Sequence, residues 1–241
     1  TPSAVSADLA AALECHYTFE GAAPLADRSG NARHGIVTGA YSIVSVAKPP
    51  LAGSTAAFDA GIHYMRGWTQ LCTGRARRAP YAPQTLSFWV FVGGGSTSVP
   101  TLFTEATGVT YTGLAVILNL YRRSMTVALQ QTGAGGASVR FNTPTLEAAA
   151  ATTAGRMFHV ALALSFPDTA HYTLAAYVDG AQVFSGTQAT NGYTDSGRFP
   201  INVGASQRGV STDAYHAAGV YIDNVRVYSR ALPQEDVQWI R

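Results

Sequence analysis

The chain has 241 residues, of which 47% are hydrophobic and 12% charged, with a formal net charge of +2. That length suits a single all-β domain, which at this size buries about 70–75% of its unfolded surface and needs no staples for a stable core. The mild charge gives no ground for expecting a nucleic-acid partner, and no apolar run approaches the roughly 18–20 residues of a transmembrane helix.

Thr1–Ala12 is small and alanine-rich, a lead-in or short helix. We set residues 1–13 apart from a single domain running from 14 to 241. The first predicted strand is Cys15–Phe19. The segment Asp27-Arg28-Ser29-Gly30-Asn31, followed by His34-Gly35, is a tight turn. In it Asp27 and Asn31 can bond backbone N–H groups, and Gly30 and Gly35 permit positive φ. Gly67–Pro83 is irregular and holds Trp68, Cys72, two prolines and Arg75, Arg77 and Arg78. Thr85–Val92 (TLSFWVFV) is strongly β, and further strands are expected at about Pro100–Glu105, Gly113–Asn119 and Ser124–Gln130. Gly133–Gly136 turns the chain, and Thr145–Ala154 has helical propensity without an apolar face. Arg156–Leu164 is a strand. Tyr172–Val178 and Ala181–Phe184 form a hairpin on the Asp179-Gly180 turn, and Ile201–Ala205 is another strand. Val220–Tyr228 is the closing strand. Pro233 suits the first position of a short helix, with Glu235 and Asp236 in its first turn as the helix dipole favours.

Several of these segments carry a family resemblance. The closing segment, with Gly219, Ile222, Asp223, Val225, Arg226, Tyr228, Arg230, Ala231, Leu232 and Glu235, resembles that of laminin-G-like jelly-roll domains in the concanavalin A-like lectin and glucanase superfamily, which has pentraxins as relatives. The D-x-S-G-N loop at Asp27–Asn31 with His34-Gly35, the Ala56–Asp59 segment and Trp89 within TLSFWVFV are similar to that family too. So are RMFHVALAL with His159, the Y-V-D-G turn and INVGA. By this resemblance Ala56–Asp59 and Ile62–Met65 are a strand pair. The resemblance spans residues 15–240 in order and implies a two-sheet antiparallel β-sandwich with a short C-terminal helix. Most family members have a shorter link where Gly67–Pro83 stands, which marks residues 67–83 as an insertion loop.

The superfamily includes enzymes. Its retaining glycosidases need two carboxylates about 5–5.5 Å apart, supplied by an E-x-D-x-x-E run on one strand. Glu14, Glu20, Glu105, Glu147 and Glu235 are isolated here, and no such run exists, so a non-catalytic role is expected. Members often hold calcium where the early loop meets the closing strand. Carried over, that gives a structural calcium at Asp27, Asn31 and Asp223, with Glu20 as a further ligand. The other reading is that Asp27 and Asp223 only satisfy backbone donors and clamp the two ends of the chain.

Ligand binding is expected in the insertion loop. Lys48 is the only lysine among 16 basic residues, and no acidic residue falls between Asp59 and Glu105, where Arg66, Arg75, Arg77 and Arg78 do. Arginine suits bidentate capture of carboxylate, sulfate or phosphate, and Trp68 and Tyr81 supply stacking faces. A solvated basic loop is the plain alternative. Trp89 and Trp239 are expected in the core, and His159 as a satisfied sheet histidine. Cys15 and Cys72 either pair or stay as buried thiols. Low charge and Thr/Ser/Gly richness favour a secreted protein, in which they would oxidise. An organelle reached by a removed transit peptide is the alternative. The expected role is a binding module for a glycan or protein partner. The second reading is a structural subunit of a larger assembly with no sugar ligand.

Overall fold

Strand-forming stretches alternate through most of the chain, and in the computed structural model they zip into two antiparallel sheets. The structure describes residues 4–20, 22–38, 42–44, 61–63, 68–73, 82–92, 101–104, 113–119, 124–130, 138–142, 156–190, 201–203 and 220–241. One sheet runs in the order β13 (Ala181–Ala189), β12 (His171–Val178), β11 (Arg156–Ser165), β6 (Gln84–Val92), β15 (Val220–Tyr228), β4 (Gly61–His63) and β3 (Ser42–Val44), with β1 (Leu13–Tyr17) also on β15. The other runs β10 (Ser138–Asn142), β9 (Ser124–Gln130), β8 (Gly113–Asn119), β7 (Thr101–Thr104), β14 (Ile201–Val203), β5 (Trp68–Leu71) and β2 (Ile36–Thr38). Two helices flank the chain, α1 (Ala4–Ala12) and α2 (Gln234–Ile240).

Alternation decides which side chains meet between the sheets. Leu86, Phe88 and Val90 of β6 and Phe158, Val160, Leu162 and Leu164 of β11 point inward. They join Leu71, Met125, Val127 and Ile201 of the opposite sheet in one buried cluster.

The closing strand β15 is the hub. Along one edge it pairs with β6 in the register Ile222↔Val90 and Val227↔Leu86. Its other edge is shared: Tyr221 and Ile222 face β4, while Val225 to Tyr228 face β1, with Cys15↔Val227 and Tyr17↔Val225. The expected pairing of first and last strands is therefore present. Between Asp223 and Arg226 the register against β6 shifts, and Asn224 takes a left-handed φ of 52°. An extra residue in a bulge resets the alternation, so that Ile222, Val225 and Val227 all face the core.

The first sheet is covered on its outer face as well. There Ala161, Ala163, Tyr177 and Tyr228 form a second buried cluster with Leu9 and Ala12 of α1 and Val237 and Ile240 of α2. Leu232 completes the cover, its N–H donating to the Thr85 hydroxyl at 2.8 Å. The last carbonyl of α1, at Ala12, accepts from the Ser229 N–H at 2.8 Å, which ties the two ends of the chain. Residues 4–12 thus form the short helix, the second of the two expectations for this stretch, and are part of the packed structure.

Other expectations need correction. Trp68–Leu71, inside the stretch expected to be irregular, is a strand bonded on both edges, to β2 and β14. The short strands β2, β3 and β10 were not foreseen. Pro233 is the N-cap of α2, with φ −72° and ψ 169°, and not its first helical residue. Gly30 has the expected positive φ of 91°, but Gly35 serves a close approach instead. A Cβ on Gly35 would stand 3.1 Å from Leu71 Cδ2 and 3.2 Å from Leu25 Cβ. Trp239 is not core: Val237 and Ile240 take the buried side of α2, and Trp239 turns to solvent at 61% exposure. The expectations for residues 56–59, 133–136 and 145–154 lie outside the described residues.

Candidate functional site

The early turn is built around Asp27. Its Oδ1 accepts from the backbone N–H groups of His16 and Ser29, each at 2.9 Å. Its Oδ2 accepts from the Ser29 hydroxyl at 2.8 Å and the Arg33 N–H at 3.0 Å. These four bonds use the acceptor directions of an ionised carboxylate. Burial pushes the Asp27 pKa up, but the hydrogen bonds from Ser29, His16 and Arg33 outweigh it and hold the carboxyl below its ordinary value. Asn31 turns its Nδ2 to the carbonyls of Leu13 at 2.9 Å and Glu14 at 3.1 Å. Asp223, buried in β15, accepts from the Asn224 N–H at 2.6 Å. Among the described residues no three His, Cys, Asp or Glu side chains gather as a metal site. A calcium ion needs 6–8 oxygens. With the Asp27 lone pairs filled, Glu20, Asp27, Asn31 and Asp223 do not fit one. The early turn reaches the closing strand through His16, whose Nε2 lies 2.7 Å from Asn224 Oδ1.

A second anchor lies at the start of the expected binding loop. Cys15 and Cys72 are disulfide-bonded, with Cα atoms 5.9 Å apart, joining β1 to the end of β5 and so one sheet to the other. The Cys72 N–H donates to the Tyr17 hydroxyl at 2.6 Å, and that hydroxyl donates to the Arg33 carbonyl. Burial pushes the Tyr17 pKa up, which keeps the hydroxyl protonated. The Thr73 hydroxyl donates to the His34 carbonyl. Residues 72 and 73 are therefore fixed on the early turn. Arg66, Arg75, Arg77, Arg78 and Tyr81 lie outside the described residues, and Trp68 is placed by its backbone alone, in β5.

A third feature was not foreseen. Between α1 and α2 the outer face opens into a pocket of about 260 Å³. Leu9, Leu13, Tyr228 and Ile240 form its apolar lining, Arg226 enters from β15, and Trp239 and Arg241 stand beside it. The Arg226 Nη1 donates to the Ile240 carbonyl, the C-terminal end of α2, where a cation is favoured. Its Nε lies 3.3 Å from His16 Nε2. Burial and the Arg226 charge lower the His16 pKa, so the ring is neutral near pH 7. With its proton on Nε2 it donates to Asn224 and has nothing to offer Arg226. With the proton on Nδ1 it accepts from Arg226. Either way the guanidinium meets neutral acceptors, and among the described residues no carboxylate lies within ion-pair distance of it. Burial lowers the Arg226 pKa, and the charge of Asp223 offsets part of that from further off. Arg241 donates to the Asp179 carbonyl at 2.9 Å. The sequence signal for this pocket was Arg226 itself, an arginine on the non-core face of the closing strand.

His159 is a structural residue. It is fully buried, with Nε2 2.8 Å from the Ser87 hydroxyl and its ring 5.3 Å from that of Trp89, which is core as expected. Burial, then the charges of Arg226 and Arg241, lower its pKa to about 3, so it stays neutral.

Two sheets enclosing one core, closed by a strand that joins the chain's ends, define a jelly-roll β-sandwich. The family profile of the laminin G group, described as the concanavalin A-like lectin/glucanases superfamily, matches residues 68–238, and the chain belongs to that superfamily. Solved structures of similar fold include the botulinum neurotoxin serotype D binding domain, at 15% identity and TM-score 0.68, covering 98% of this chain and 52% of that chain. Another is the serotype D ligand binding domain in complex with N-acetylneuraminic acid, at 14% identity and TM-score 0.66, with coverage of 98% and 52%. A third is the binding domain of botulinum neurotoxin DC in complex with rat synaptotagmin II, at 12% identity and TM-score 0.63, with coverage of 96% and 51%. The chain spans about half the length of these structures, and at such identities the likeness is one of fold. A comparison with curated proteins returned no match.

Proposed function

We propose that this chain is a non-catalytic binding module for a glycan or protein partner, with the arginine-bearing segment as its contact surface. The observation that carries the reading is the pinned departure point of that segment. The disulfide and the Tyr17 and Thr73 hydrogen bonds fix residues 72 and 73, from which Arg75, Arg77 and Arg78 follow directly. A ligand-binding segment anchored at its base loses less entropy on binding. The similarity in fold to domains that bind N-acetylneuraminic acid and synaptotagmin II supports a binding role. The buried carboxylates support a non-catalytic one: Asp27 is saturated by donors and Asp236 is paired to Arg230 at 2.7 Å. The disulfide also supports an oxidising, extracellular setting.

The test is retention on an immobilised sulfated polysaccharide and its dependence on salt. Binding held by arginines weakens as ionic strength rises. Replacing Arg75, Arg77 and Arg78 by Ala should remove most of the retention and leave the melting temperature within about one or two degrees. Retention that survives the triple replacement rejects the segment as the contact surface. A wild-type chain that binds no glycan and purifies only within a complex favours the structural-subunit role.

A further inference from the structure

We propose that the pocket between α1 and α2 is a second binding site, one that takes an acidic sugar residue with its carboxylate on Arg226 and its ring face on Trp239. The inference deepens the binding-module reading and rests on it. Its site, however, is separate from the arginine-bearing segment, so the two fail separately.

Arg226 supplies the first argument. A cation drawn partly out of water is costly unless a counter-charge or a full set of acceptors meets it. Here the guanidinium reaches the Ile240 carbonyl and at most the neutral His16 ring, and among the described residues it forms no ion pair. Most of its five N–H groups stay available, and their planar fork matches a carboxylate.

Trp239 supplies the second. At 61% it is one of two large hydrophobic side chains exposed among the described residues, and it lies at the pocket. The helix that carries it is held from both sides, by Arg226 at its last turn and by Gln234 and Gln238 to the Gly180 carbonyl at 3.3 and 3.4 Å. An indole on a fixed helix presents its π face at little entropic cost, and the C–H face of a pyranose is a suitable partner for that negative surface. Size supplies the third argument. At about 260 Å³ the pocket falls just below the roughly 300–1,000 Å³ of drug-sized sites, a size that suits one sugar ring. An acidic monosaccharide unit offers a flat apolar face and a carboxylate in one residue. An acidic peptide needs two residues, a carboxylate and an apolar neighbour, to offer the same pair.

The experiment uses methyl β-glucuronide as probe and methyl β-glucoside as its uncharged counterpart, each titrated into the intact chain and followed by saturation-transfer NMR. The glucuronide should bind saturably, and the glucoside at least tenfold more weakly. Trp239→Ala, at an exposed position, should fold as the parent does and lose at least tenfold in affinity, and Trp239→Phe should recover part of it. Arg226→Lys keeps the charge but not the fork and should also lose at least tenfold. Glucuronide binding that is lost when Arg75, Arg77 and Arg78 are replaced places the sugar on the arginine-bearing segment and overturns the proposal. Equal binding of both sugars, no binding of either, or binding unaffected by Trp239→Ala overturns the proposal. A tetra-aspartate peptide that binds more tightly than the glucuronide overturns it in favour of an acidic peptide site.

Discussion

Around β6, β11, β12 and β15 the first sheet is buried on both faces, and its two faces are built differently. The inner face is made of large side chains, Phe88, Phe158, Leu86 and Leu162 among them, interlocked with those of the opposite sheet. The outer face mixes small and polar residues, Ala161, Ala163, Thr85 and Ser87, with the rings of Trp89, Tyr177 and Tyr228, and two short helices lie on it. The inner layer is held by packing. The outer layer combines packing with specific bonds: the Thr85 hydroxyl between Arg230 and Leu232, Arg226 on the end of α2, and α2 on the Gly180 carbonyl. One sheet thus has a face built for stability and a face that carries the polar and exposed features available to function.

Truncating one large residue in each layer would sharpen that contrast. Phe158→Ala, in the middle of the inner core, should destabilise the fold by about 3–5 kcal/mol in chemical denaturation. Leu232→Ala, under the outer cover, should cost about 2 kcal/mol, because its neighbourhood can settle towards the void. Equal losses would mean that the two layers form one cooperative core.

The polar clamp can be separated from both layers. Asp27→Ala leaves the N–H groups of His16, Ser29 and Arg33 without their acceptor and should cost about 1–3 kcal/mol. A chelator should leave the melting temperature of the parent unchanged, because the clamp is made of N–H donors. A chelator-induced drop would restore the calcium reading.

The pH response of the outer layer is small near neutrality and grows with acid. His159 has a folded pKa of about 3 against an ordinary value of 6.5, so between those values the unfolded chain binds more protons. Stability is then complete above about pH 6.5 and falls with acid at up to about 1.4 kcal/mol per pH unit. His16, also lowered, adds in the same direction. Asp27 contributes only once pH falls below its ordinary 3.8. His159→Gln should flatten the slope between pH 6 and 4, and a slope that persists would assign it elsewhere.

The inner layer was legible in the sequence and the outer layer largely was not. In TLSFWVFV the alternation of Leu86, Phe88 and Val90 announces a core face, while Thr85 and Ser87 look solvated until α2 and Leu232 arrive to cover them. The continuous apolar run of RMFHVALAL marks a buried strand, and Phe158–Leu164 is buried on both faces. β2 and β5 are short, and their pairing depends on each other and on β14, far along the chain, so no local pattern marks them. The Asp27 turn was visible because its chemistry is local. The Arg226 pocket was not, because α1 and α2 come from opposite ends of the chain and meet only in the folded state. Trp239 misled for a related reason: a seven-residue helix has little periodicity, and an aromatic near its end reads as core whichever side it faces.

The shared edge of β15 also bears on how the chain is made. β1, β4 and β6 are all synthesised long before the strand that joins them, and Ser229 closes onto Ala12 across 217 residues of sequence. Until Val220–Tyr228 emerges, the first sheet is divided, with the flank of β6 and the edges of β1 and β4 unpaired. At about 5–20 residues per second of synthesis, those edges wait for several seconds or longer beside any other nascent chain. Unpaired strand edges invite pairing with strangers, and contacts this distant in sequence form slowly even after release. The strand that completes the sheet therefore also sets the moment at which the chain becomes safe from aggregation. A chaperone that shields strand edges would be needed before that moment and dispensable after it.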